Sequence, residues 1–203
     1  MTGYKGMWLW CKIKKNIPKI QIPFWNMINR ITFLFNNVSC EKGLRSRGKV
    51  YVYNGDAGQI YIGKNVCLNS ADWANPIGSG NHIWIQIVGR DAVLSIGDET
   101  GISNTAITCA TKVEIGKQCL IGSGCKIYDT DFHVLPIQSK EKRIKSDPIV
   151  IEDRVFIGAG STILKGVRVG KNSVIGAGSV VVKDIPAYEV WAGNPARFIK
   201  KCV

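Results

Sequence analysis

The chain has 203 residues, 22 of them glycine, and a formal net charge of +12, enough length for one domain with a sizeable core. No apolar run approaches the ~18 residues that a membrane-spanning helix needs. Lys12, Lys14 and Lys15 cut "MWLWC" off before a secretory leader can form, so a cytoplasmic protein is expected.

Residues 1–50 hold ten basic side chains (Lys5, Lys12, Lys14, Lys15, Lys19, Arg30, Lys42, Arg45, Arg47 and Lys49) against Glu41 alone, so ten minus one, or +9, lies there. Trp8, Trp10, Phe24, Trp25, Phe33 and Phe35 share the stretch. Such a composition suits a cap over one end of the fold, or peripheral contact with an anionic membrane or a lipid-linked glycan. No nucleic-acid-binding pattern accompanies the charge. Residues 1–49 are therefore read as a cap or membrane-proximal segment, and residues 50–186 as the main domain.

Within that domain one clean six-residue unit, "YIGKNV", precedes the irregular "SADWANPIGSGNH". His82, in this irregular stretch, has no partner pattern and is read as structural or exposed. The period then establishes itself. Ile96, Ile102 and Thr108 lie six apart, and after one seven-residue step come Ile115, Ile121 and Ile127. From Ile151 every sixth residue is aliphatic: Ile151, Ile157, Ile163, Val169, Ile175 and Val181. Four residues after these stand small or branched side chains, among them Val155, Ser161, Val167, Ser173 and Ser179.

A period of six fits neither a helix at 3.6 nor a hairpin meander. It fits an all-β parallel β-helix whose three flat sides close a triangular coil of about 18 residues. A βαβ alternative needs helical stretches of roughly 10–15 residues, for which these blocks leave no space. Between them lies a loop, 128–148, which opens with "DTDFH" and contains the polar stretch 139–148. In an extended segment residues i and i+2 share a face, so Asp131 could orient the His133 ring, with Asp129 a competitor. The tail 187–203 contains "GNPARFIKK", where Asn194 and Pro195 suggest the start of a short helix. Seven cysteines (Cys11, Cys40, Cys67, Cys109, Cys119, Cys125 and Cys202) form no CxxC pair, and two histidines leave no metal-ligand set. Reduced, mostly buried thiols and no metal are expected.

The units "IGKQCL", "IGSGCK", "IGAGST" and "IGAGSV", the "DTDFH" loop and the ending "IGAGSVVVKDIPAYEVWAGNPARFIKK" together resemble the left-handed β-helix of the hexapeptide-repeat acyltransferases. The match runs over roughly residues 90–201, and the order of its parts is similar to the polysaccharide and sugar O-acetyltransferase branch. That resemblance implies an acetyl-CoA-dependent homotrimer acting on a sugar or glycan hydroxyl. It makes His133 the general base, with direct attack on the thioester, supported by Asp131 and by Asn104. Imidazole suits the role because its proton exchanges near neutral pH. The small residues Ala159, Gly160, Ala177 and Gly178 would let the coenzyme A arm approach the backbone, and Lys183 and Arg197 could pair with its phosphates. The inward slots of Cys119 and Cys125 argue against a thiol nucleophile. N-acetylation of an amino sugar, acetylation of an antibiotic or other small molecule, and a non-catalytic β-helix scaffold stand as alternatives.

Overall fold

The computed structural model describes residues 21–78, 81–134 and 143–202. Residues 21–35 form helix α1. The chain then winds through six coils of three strands each. The first coil holds β1 (Val38–Cys40), β2 (Arg45–Arg47) and β3 (Tyr51–Asn54); the second holds β4 (Gln59–Ile62), β5 (Cys67–Asn69) and β6 (Trp84–Ile87). Next come β7 (Val93–Ile96), β8 (Gly101–Ser103) and β9 (Ala106–Cys109), then β10 (Lys112–Ile115), β11 (Leu120–Ile121) and β12 (Lys126–Tyr128). The fifth coil is β13 (Ile149–Ile151), β14 (Phe156–Ile157) and β15 (Thr162–Leu164). The sixth is β16 (Arg168–Val169), β17 (Val174–Ile175) and β18 (Val180–Val181).

Every third strand pairs in parallel with the one below, giving three sheets. We name the sides A (β1, β4 and onward), B (β2, β5 and onward) and C (β3, β6 and onward). The fold is the parallel β-helix expected from the hexads, left-handed as the resemblance implies. In-register pairing stacks like on like. On side A the inward column is Cys40, Ile62, Ile96, Ile115, Ile151, Val169 and Ile185. Side B stacks Ser46, Leu68, Ile102, Ile121, Ile157, Ile175 and Trp191. On side C the column is Val52, Ile85, Ile107, Ile127, Ile163 and Val181. One expectation is corrected here. Ile107, not Thr108, occupies the inward slot, because the preceding corner is one residue short. The apparent six- and seven-residue steps from Ile102 to Ile115 are a five followed by an eight.

Two corners of the prism reuse one backbone solution. At the A–B corner the last turn residue is left-handed and never glycine from the second coil upward: Asn65, Glu99, Gln118, Arg154, Asn172 and Tyr188, all at φ between 55° and 62°. Each of their N–H groups donates to the corner carbonyl one coil below, as Gln118 to Asp98 at 2.8 Å and Arg154 to Lys117 at 2.8 Å. The neighbouring column alternates in charge: Lys64, Asp98, Lys117, Asp153, Lys171. Asp98 accepts from the Lys64 N–H and Asp153 from the Lys117 N–H, both at 2.8 Å.

Both ends of the prism are closed by side chains. At the base Asn26 and Asn29 of α1 stand in for a missing coil. Asn26 donates to the Leu44 carbonyl and accepts from the Ser46 N–H; Asn29 donates to Gly48 and accepts from Val50. These bonds satisfy an edge that would otherwise invite another strand. Because β1 and β2 belong to the prism, the coil begins at Val38, inside the segment read as a cap. At the top, β19 (Glu189–Ala192) extends side B and pairs with β20 (Arg197–Lys201) in antiparallel fashion. The short helix expected after Pro195 is therefore a strand. An open sheet edge at β19 offers residues 197–201 backbone partners, which outweighs the local helix-start signal.

The backbone bond from Lys64, with the Lys117 charge nearby, holds the Asp98 carboxyl below its ordinary range; the Lys171 N–H and Arg168 do the same for Glu152. A lowered folded-state pKa stabilises the fold above the unfolded value and is lost as pH falls through the folded one. The denaturant midpoint should therefore fall as pH drops from about 5 toward 3, and Asp98→Asn should flatten part of that slope. A parallel pH dependence in wild type and Asp98→Asn would refute the assignment.

Candidate functional site

The B–C corner has the same backbone turn as the A–B corner and a different lining. Here the left-handed position is Gly124, Gly160 and Gly178, at φ 74°, 72° and 69°. Each N–H again donates one coil down: Gly124 to Asn104, Gly160 to Ser123 and Gly178 to Ala159, at 2.8–2.9 Å. A methyl group on Gly178 would meet nothing within 4 Å, and on Gly124 or Gly160 nothing nearer than 3.9 Å. Glycine is thus not demanded by the chain's own packing at these three places. Gly122 and Gly158 in the same turns differ, since a Cβ there would strike the next coil's backbone at 2.5 Å. The A–B corner shows that side chains tolerate this φ. What the glycines preserve is a bare groove running up the corner.

The groove gathers five residues expected from sequence: Asn104, Ala159, Gly160, Ala177 and Gly178. It also contains one that sequence reading missed, Ser123. Aligning "IGSGCK" with "IGAGST" and "IGAGSV" puts Ser123 in the slot of Ala159 and Ala177, which is the signal that could have found it. At the lower end Asn104 and Ser123 are both 2% exposed. The Asn104 Nδ2 donates to the Asn75 carbonyl at 3.0 Å, while its Oδ1 and the Ser123 Oγ are buried without a partner. Asn104 itself sits at φ 40°, in the corner shortened by one residue. Buried polar atoms left unpaired cost about 1–3 kcal/mol each, which marks this spot as one poised for an outside hydrogen-bonding group.

Asp131 and His133 lie at the other edge of side C, on the C–A corner. The two edges are about 15 Å apart, the length of a side at roughly 3.3 Å per residue. One chain does not bring His133 to Asn104. Asp129 roots the loop: fully buried, it accepts from the N–H groups of Ala110, Thr111 and Lys112 at 2.6–2.9 Å and from the Thr111 hydroxyl. That leaves it no part in orienting His133. The loop's two arms join where Asp131 N–H donates to Lys145 and Asp147 N–H to Asp129, at 3.0 and 2.9 Å. Asp131 pairs with Lys165 at 3.6 Å, and its main-chain carbonyl accepts from the His133 N–H at 2.7 Å. His133 is exposed. Residues 135–142, and with them part of the 139–148 stretch, lie outside the described residues.

Lys183 also stands on the C–A corner, with its ammonium 5.1 Å from the centre of the Trp191 ring, closing the top of the prism. Arg197 is exposed on β20. His82 ties its own loop down, with Nδ1 2.9 Å from the Ser70 carbonyl and its ring against Tyr51. Burial pushes the thiols of Cys119 and Cys125 up, and that of Cys109, with Asp129 nearby, to about 12. None of the three can supply a thiolate near neutral pH. No group of three or more metal-ligating side chains occurs among the described residues.

Residues 148–183 match the family described as the hexapeptide repeat of succinyl-transferase. The Saccharomyces cerevisiae protein YJL218W, provisionally named an acetyltransferase, is 42% identical over 99 residues, 48% of this chain and 50% of its own. A 2,3,4,5-tetrahydropyridine-2,6-dicarboxylate N-acetyltransferase of Clostridium perfringens is 60% identical over 53 residues, 26% of this chain and 22% of the relative. The hexapeptide-repeat acetyltransferase VCA0836 of Vibrio cholerae, solved in complex with acetyl coenzyme A, is 25% identical. That alignment covers 79% of this chain and 72% of VCA0836, at a TM-score of 0.50. The chain thus spans half or less of the length of these two curated relatives.

Two outcomes check the site's framework. Asp129→Ala should cost about 3 kcal/mol or more in chemical denaturation, because it strands three backbone N–H groups. Iodoacetamide at pH 8 should leave Cys109, Cys119 and Cys125 unmodified in peptide maps of the native protein and label all three after unfolding.

Proposed function

We propose that this chain is a hexapeptide-repeat acyltransferase, as its similarities to that family support, and that it transfers an acetyl group from acetyl-CoA to a hydroxyl of a sugar or polysaccharide intermediate. The observation that carries the reading is the bare B–C corner: glycine at three left-handed positions with open space around them, beside a corner of like backbone that carries side chains from the second coil upward. A slender donor needs such a groove. The pantetheine arm of acetyl-CoA would lie along Ala177, Gly178, Ala159 and Gly160, its thioester toward Ser123 and Asn104. The Asn104 Oδ1, buried without a partner, would accept a bond from an amide N–H or a substrate hydroxyl, while its Nδ2 spends one of its two hydrogens on the Asn75 carbonyl. The Ser123 hydroxyl, also unpaired, would donate to the oxyanion that forms during transfer.

His133 would remove the acceptor's proton as its oxygen attacks the acetyl carbon. The thioester C–S bond then breaks, and the sulfur leaves as coenzyme A, taking up a proton. Because the two edges of side C are far apart, the imidazole serving one groove would come from a neighbouring copy in a homotrimer. In this reading Asp131 acts through Lys165 and its main-chain carbonyl, which set the loop's path, and Lys183 closes the prism end instead of meeting phosphate. An acetyl-CoA donor is consistent with work on the cytoplasmic side. Among the described residues no helix is long and apolar enough to cross a membrane.

Acetylation of an amine is the second reading, favoured by the 60% identity to an N-acetyltransferase. An amine acceptor uses the same base and groove, so acceptor pairs differing only in hydroxyl or amino group decide between the two.

Gly178→Asn should keep the melting temperature within about 3 °C, since asparagine tolerates this φ, and should abolish the stabilisation that coenzyme A gives. His133→Ala should lower acetyl transfer by about 10²–10⁴-fold with coenzyme A stabilisation retained. Turnover equal to wild type in His133→Ala would sink the mechanism. Absence of any coenzyme A effect on melting would favour a scaffold.

A further inference from the structure

Helix α1 has two opposite faces of different character. One face holds Asn29 and Phe33, both buried, and seats the helix on the first coil. The other presents Phe24, Met27, Ile31, Leu34 and Phe35, with Leu34 78% and Phe35 81% exposed. At 3.6 residues per turn these five fall in a stripe about 100° wide, directly across the helix from Asn29 and Phe33. An exposed apolar stripe of this width, opposite the face that the prism covers, calls for an apolar medium of its own.

The charge around the stripe identifies the other side. Arg30, Lys42, Arg45 and Lys49 are exposed at this end, and Glu41 is the sole acid between residues 21 and 50. The corner column shows the same bias. From Lys64 upward it alternates, but the first coil sets Lys42 beneath Lys64, so the base of the prism stays positive where the other coils balance. The sequence continues the trend, since residues 1–20 contain five lysines, Trp8, Trp10 and no acid.

We infer that α1 lies in the interface of an anionic lipid bilayer, with the Phe24–Phe35 stripe among the acyl chains and the basic side chains at the headgroups. The prism then stands end-on, with its three sides and both edges of side C clear of the bilayer. The inference is independent of the acetyl-transfer reading. Docking of this kind needs both terms at once: apolar area to enter the bilayer and positive charge to meet anionic headgroups.

Cosedimentation of the full chain with vesicles of 30% phosphatidylserine in phosphatidylcholine tests it, beside vesicles of phosphatidylcholine alone. Wild type should partition at least tenfold more strongly onto the anionic vesicles, and 0.5 M salt should reverse most of that gain. The double substitution Leu34→Asp with Phe35→Asp should lower partitioning at least tenfold. Both side chains are exposed, so its melting temperature should match wild type; if it does not, Ile31→Asp alone provides the comparison. Wild type left in the supernatant, or variants that bind as well as wild type, would overturn the inference. It would also fall if sedimentation velocity showed the stripe buried between copies of the chain, with the larger species lost in the double variant and no vesicle binding in either.

Discussion

Everything in this molecule depends on parallel backbone pairing from one coil to the next. Once β10 aligns Val113, Glu114 and Ile115 with Leu94, Ser95 and Ile96 below and with Ile149, Val150 and Ile151 above, the side chains have no further choice of face. Inward residues stack into columns that fill the prism, and outward ones stack into columns on its surface. The corners inherit the same repetition. A property set in one turn recurs about 4.8 Å higher in the next. That is why a groove can exist at all in a protein whose interior is solid.

The same repetition makes the chain readable, and its failures mark where reading stops. The Ile151–Val181 hexads gave their own inward positions because six residues complete each side without remainder. At Ile107 the frame slipped by one, since the corner before it lacks a residue and no local feature distinguishes Ile107 from Thr108 as the inward side chain. Ser123 was hidden for a different reason. Serine is ordinary in a turn, and only stacking above Asn104 and below Ala159 makes its unpaired hydroxyl notable. The C-terminal segment misled because Asn-Pro is a sound helix start in isolation. Whether β19 leaves an edge open for β20 is not written in residues 194–201. α1 was legible only as composition, because nothing in the sequence says that Asn26 and Asn29 meet the prism and leave the Phe24–Phe35 stripe outside.

The two edges of side C are built differently. One is bare backbone with two unpaired polar atoms at its foot, suited to holding something long and thin. The other is a loop rooted by Asp129, which spends its carboxylate on three N–H groups to fix where the strand leaves the prism. The bare corner and the exposed His133 lie on different edges, so under the proposed reading each copy would hold half of a site. Buried thiols and aliphatic columns contribute rigidity between them and no reactivity.

The alternating corner column has a consequence for how the chain finds its order. Inside the prism, Ile115, Ile151 and Val169 are nearly interchangeable, so packing alone distinguishes poorly between the correct stack and one displaced by a storey. At the surface the storeys are labelled. Lys117 stands between Asp98 and Asp153, and Asp153 between Lys117 and Lys171. Leaving out one storey would set lysine on lysine or aspartate on aspartate about 5 Å apart, a repulsion of about 0.8 kcal/mol even in water. The interior specifies the shape of each floor; a single line of charges numbers them.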